Sequence, residues 1–257
     1  MVKNLLINVF EYFKSGTFTN INMNTMTLLE NVLLHYSDEL IAILDREIPI
    51  GNYIPLDLSE SNGNLNILDI TDPYVCQEYI DKVLNNKPSM VAYGGYLERR
   101  NLYSKSPGFA NRGEGVRNIH LGMDFWAKAG TKVITPLGGV VDSFKNNDVS
   151  GDYGPTIILR HELGGIQFYT LYGHLSIVSL QGLHKNMEFR AGQVLATLGD
   201  TAINVNYAPH LHFQIIQDLG DNKGDYPGVC TQKDLDIYQK NCPDPNLLLK
   251  ITPPFIG

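Results

Sequence analysis

The sequence predicts a mainly β protein, α+β overall. It reads as an antiparallel β-sheet or open sandwich with a helical N-terminal region and an irregular C-terminal extension. Three observations predict it. From about residue 90, short runs rich in β-branched and aromatic residues recur between glycine and proline turns: KVITP, GGVVDSF, PTIILRHE, GIQFYTLYGH, QVLATLG and HLHFQII. Upstream of them, apolar residues recur at helical spacing. Beyond Gly220, Pro227, Pro243, Pro245, Pro253 and Pro254 interrupt any regular period. These shifts divide the chain into residues 1–90, 91–220 and 221–257.

Thr27 to Glu30 forms a capping-box pattern. Leu29, Val32, Leu33, Leu40, Ile41 and Leu44 then continue a helical recurrence through residue 45, which Pro49 and Gly51 end. A second helix starts at Asp72-Pro73, an N-cap followed by proline at the first helical position. Val75, Cys76, Tyr79, Ile80, Val83 and Leu84 line one face of it. Residues 57–66 between the helices are polar and turn-rich, which predicts a loop. In the β region, Leu163-Gly164-Gly165 between two strand-like runs reads as a hairpin turn.

The 257 residues, 43% apolar and 18% charged, can bury a sizeable core. A net charge of −7 and a pI near 5.4 argue against nucleic-acid binding. Cys76, Cys230 and Cys242 form neither a disulfide framework nor a zinc cluster. Cys230 and Cys242 could pair in an oxidising setting or remain thiols. Glu11 and Lys14 interrupt the first apolar run before a signal-peptide core could form, and no segment has the length of a membrane span. The expectation is a soluble, cytoplasmic protein, with its oligomeric state left open.

Seven histidines include a pair one residue apart in APHLHFQI. In a strand, His210, His212 and Gln214 share one face, while Leu211, Phe213 and Ile215 anchor the other. In NIHLGMDFW, strand parity puts His120 and Asp124 on one face across Gly122, which leaves room for side chains to converge. Histidine nitrogens with a carboxylate oxygen suit zinc, and three protein ligands leave a fourth position for water. In YTLYGHLS, His174 ends a predicted strand, where it can overhang a groove. His35, His161 and His184 read instead as surface or internally satisfied polar residues.

Each motif alone is weak, but HLGMD, YGHLS and PHLHF in this order resemble the LytM-type (M23) zinc metallopeptidases, often peptidoglycan endopeptidases. AGTKVITPLGGVV and GQVLATLGDT are similar to family segments as well, so the resemblance covers about residues 115–217. It implies His120, Asp124 and His212 as ligands of one Zn2+ per chain, with His210 and His174 as a non-ligand catalytic pair. The implied reaction is hydrolysis of a peptide bond, Gly–Gly or one involving a D-amino acid, in peptidoglycan cross-links or their fragments. Which of the two histidines is the general base stays open.

Two other readings remain: an intracellular metallohydrolase acting on another small peptide or amide, and a non-catalytic metal-binding module for partner recognition. The N-terminal region most simply caps a sheet edge. A latency role would place the linker Pro107 to Asn118 over the site, with Asn111 as a further ligand.

Overall fold

The runs beyond residue 90 become strands of one eight-stranded sheet, and the glycine turns set its register. The computed structural model describes residues 26–85, 87, 90–102, 110–111, 115–149, 151–203 and 207–251. Spatially the sheet runs β1 (Tyr53–Pro55), β2 (Val91–Gly94), β6 (Met123–Trp126), β13 (His210–Ile216), β10 (Ile166–Gly173), β9 (Gly154–Leu163), β8 (Gly139–Asn147) and β11 (Glu188–Phe189). Its pairings are antiparallel except for β1 with β2, which run parallel. Three two-stranded ladders flank it: β3 (Ala110–Asn111) with β4 (Gly115–Val116), β5 (Ile119–His120) with β14 (Val229–Cys230), and β7 (Lys132–Ile134) with β12 (Val194–Thr197). The architecture is mainly β, as the sequence predicts. The predicted hairpin joins β9 to β10 at Gly164 and Gly165, whose φ values of +60° and +79° suit glycine in a two-residue loop.

Strand β13 lies in the middle of the sheet and is buried on both faces. Leu211, Phe213 and Ile215 join the largest apolar core, with Phe125, Val133, Leu159 and Tyr172. The opposite face is roofed by a second cluster including Tyr153, Tyr226 and Cys242. The C-terminal segment supplies part of that roof, so its polar residues face a buried cleft rather than solvent.

Three sequence expectations need correction. The first helix, α1 (Leu28–Leu34), has its capping box: Glu30 N donates to Thr27 Oγ1 and Thr27 N to Glu30 Oε2. It stops after seven residues rather than reaching residue 45. Residues 41–44 are recruited by backbone pairing instead: Ile41 N donates to Leu249 O, Ile134 N to Ile43 O, and Leu44 bridges Val133. These contacts bury Ile43 and Leu44 completely, which outweighs the weak preference of a short amphipathic run for helix.

The boundary at residue 90 also does not separate structures, because β1 and β2 extend the main sheet from both sides of it. The third correction is the C-terminal extension, which is more ordered than its prolines suggested. It contains β14 and two helices, Leu235–Asn241 and Asn246–Leu249. Cys230 and Cys242 within it are buried free thiols. The helix Pro73–Val83, labelled α2, does have the predicted cap, with Tyr74 N donating to Asp72 Oδ1 and Pro73 first in the helix.

His161, on β9, is an internally satisfied histidine. Its Nδ1–H donates to Gly138 O at 2.9 Å and its Nε2 meets the Thr170 hydroxyl at 2.7 Å. Burial pulls its pKa down to about 4. A depressed histidine means that the unfolded chain, titrating near 6.5, binds the proton more readily. The stabilisation is therefore complete above pH 6.5 and is lost as pH falls towards 4, by up to ~3 kcal/mol. Urea unfolding between pH 7 and 4.5 should show a shallower loss for His161→Gln than for the parent. Equal pH slopes would contradict this account of His161.

Candidate metal and catalytic site

Register builds the site. Pairing of β13 with β6 sets His212 directly opposite Asp124, and pairing with β10 sets it opposite Gly173. Directly opposed residues present their side chains on the same face, so His212 and Asp124 meet. His120 reaches them from β5, beyond a break at Leu121 and Gly122, rather than along one continuous strand. Gly122 is required there: a Cβ would lie 2.7 Å from the His212 ring.

Three atoms converge. His120 Nε2 lies 2.9 Å from His212 Nδ1 and 3.3 Å from Asp124 Oδ1, and His212 Nδ1 lies 3.1 Å from Asp124 Oδ1. All three residues are buried. The outward ring nitrogens are committed elsewhere. His120 Nδ1 donates to Gly95 O at 2.8 Å, and His212 Nε2 donates to Gln214 Oε1 at 2.9 Å. Gln214 is oriented in turn because its Nε2 donates to Pro227 O at 3.1 Å.

With those protons placed outward, two imidazole lone pairs and a carboxylate oxygen face one another. Such a triangle repels itself unless a cation sits against it. Burial, with Arg100 nearby, lowers the His120 pKa to about 4, which keeps the ring neutral. Burial by itself would raise the Asp124 pKa, but His120 and Arg100 hold it well below the usual carboxylate value. The tetrahedral ligands of one zinc, bonded at about 2.0–2.2 Å, stand about 3.3–3.6 Å apart, so the observed triangle is only slightly tight. A neutral His120, two imidazoles held by outer hydrogen bonds and an ionised carboxylate are what metal ligation needs. Among the described residues this is the group that could hold a metal ion.

His210 and His174 lie beside the triangle, their ring centroids 4.1 Å apart. His210 Nδ1 donates to Ala208 O at 2.7 Å, so its neutral ring keeps a lone pair on Nε2. The ring also stacks on Trp126. His174 adopts a left-handed φ of +61°, unusual for a residue with a Cβ, which turns the chain as it leaves β10. Its buried Nδ1 has no hydrogen-bond partner among the described residues. Burial lowers both pKa values, that of His174 strongly and with help from His210. Two neutral imidazoles, one with an unsatisfied buried nitrogen, are suited to accepting or donating a proton at a bound reactant. All five sequence-predicted residues line one cleft of about 390 Å³.

The remaining histidines stand apart: His35 caps α1, where its ring meets Asn31 O, and His184 lies exposed. Most of the linker Pro107 to Asn118 lies outside the described residues, as does the side chain of Asn111. Several site residues escaped the sequence reading. Gln214 was detectable as the third member of the His210 and His212 face. Gly95, Glu98, Arg100 and Tyr153 carry no local signal, since the fold alone brings them in. Tyr153 packs against both His174 and His212, with ring centroids at 5.8 Å and 4.9 Å.

Comparison with known proteins agrees with the geometry. Residues 118–225 match the model of peptidase family M23, a span that contains all five histidine and aspartate positions. A metalloprotease of Haemophilus influenzae, itself uncharacterised, is 33% identical over 167 residues, 62% of this chain. The chain spans only about a third of that protein's length. Among solved structures, the catalytic domain of the antimicrobial peptidase lysostaphin from Staphylococcus simulans is 22% identical, with a TM-score of 0.34 over 50% of this chain and 90% of that domain. A zinc-containing peptidase from Vibrio cholerae is 24% identical, with a TM-score of 0.30 over 38% of this chain and 27% of its own. Among the described residues, no helix is long and apolar enough to cross a membrane. Over residues 118–225 the chain is similar to peptidase family M23.

Proposed function

We propose that this chain is a zinc metallopeptidase that hydrolyses peptide bonds in peptidoglycan cross-links or fragments. The observation that carries the reading is the buried convergence of His120, Asp124 and His212 within 3.3 Å, with His210 and His174 at its edge. Those three residues would hold one zinc ion per chain, which when bound polarises a scissile carbonyl and activates water near neutral pH. His210 and His174 would divide the proton work, one taking a proton from the attacking water and the other donating to the developing oxyanion. Trp126 and the Ala208 carbonyl fix the His210 ring, while the left-handed backbone at His174 aims its unsatisfied Nδ1.

The substrate class rests on the resemblance to peptidoglycan endopeptidases carried by the HLGMD, YGHLS and PHLHF segments. Incubating zinc-loaded protein with a panel of muropeptides and ordinary L-peptides, read by mass spectrometry, tests it. Cleavage confined to muropeptides is the expected result. Cleavage of L-peptides alone would move the assignment to another small-peptide or amide hydrolase. One zinc per chain with no product on any substrate would favour a recognition module.

A further inference from the structure

We propose that Arg100 is a positioning residue for the metal centre, holding Asp124 to one-oxygen ligation so that a coordination position stays open for substrate. The inference rests on the metal-site reading above and concerns a residue outside the matched family span. Asp124 divides its two oxygens. Oδ1 faces both histidines, while Oδ2 accepts from Arg100 Nη1 at 2.6 Å. A carboxylate with both oxygens available can bind a cation through both and so fill an extra position. A guanidinium on Oδ2 removes that option, and a catalytic rather than structural zinc site needs its open position.

The Arg100 side chain is 1% exposed, so its charge requires compensation beyond Asp124. Glu98 supplies it, with Oε2 on Arg100 Nε and Oε1 accepting from Leu58 N. Trp126, which also supports His210, packs against the guanidinium at 5.7 Å. The same segment also secures the His120 geometry: Gly95 O takes the His120 Nδ1 proton, and His120 N donates to Glu98 O. Gly95 has a φ of +102°, and any Cβ there would overlap the Arg100 guanidinium and come within 3.0 Å of His120 Nδ1. Residues 95–100 thus form an arm that reaches two of the three proposed ligands from behind.

The test uses the full chain loaded with cobalt(II), whose visible bands are intense when four-coordinate and weak when five- or six-coordinate. Arg100→Gln strands the Glu98 carboxylate, so the double variant Glu98→Gln/Arg100→Gln is made beside it, with folding checked by circular dichroism. The parent is expected to show the intense bands. Both glutamine variants should lose them several-fold, with kcat reduced about 10–100-fold and KM little changed. Arg100→Lys, which returns a cation to Oδ2, should restore the bands. A folded double variant with the parent spectrum would overturn the role of Arg100 alone. A parent that takes up no cobalt would overturn the metal site as well.

Discussion

His212→Ala is expected to leave a folded protein with little bound zinc and kcat/KM lower by roughly three orders of magnitude, ~4 kcal/mol of transition-state stabilisation. The substitution removes the atom that closes the triangle at 2.9 Å from His120 Nε2 and 3.1 Å from Asp124 Oδ1. Two of the proposed ligands would remain, one short of the three that hold a catalytic zinc. The fold should survive, because the anchors of β13 are Leu211, Phe213 and Ile215 on its other face. The measurement is metal content by plasma emission spectroscopy alongside turnover on the best substrate of the panel. An alanine variant that keeps one zinc per chain would remove His212 from the ligand set.

His210→Ala, two residues away, should behave differently: zinc content unchanged and kcat lower by about 10²–10⁴-fold, the usual contribution of a positioned acid or base. The His210 ring makes no contact with the triangle comparable to that of His212; it is held by Ala208 O and Trp126 instead. The contrast between the two variants is the informative quantity, since a general folding defect would lower both zinc and turnover together. If His210→Ala turned over substrate at the parent rate, the proton role would pass to His174, whose buried Nδ1 is the other candidate. Single-turnover measurement on His174→Ala would then decide between them.

Much of this site was legible before the structure. Strand parity put His210 and His212 on one face and predicted the apolar anchors on the other. The order of HLGMD, YGHLS and PHLHF linked three distant segments into one constellation. Local chemistry was also readable where it is self-contained: the Asp72-Pro73 helix start, the capping box at Thr27 and the Gly164-Gly165 hairpin all formed as expected. Helix length was not readable, because residues 41–44 fit a helical period as well as the extended pairing that buries them.

The sequence by itself determined the residue types of the site, the strand that carries two of its histidines, and the mainly β class. These follow from side-chain chemistry and from periods of two and 3.6 residues, both local properties. Tertiary structure alone decided which imidazole nitrogens point inward, since Gly95 and Gln214 claim the other two. It also decided that both faces of β13 are buried and that Arg100 occupies the second oxygen of Asp124. Gln214 is a neighbour on β13, but Gly95 and Arg100 lie 25 and 24 residues from His120 and Asp124, and only the fold brings them within 3 Å.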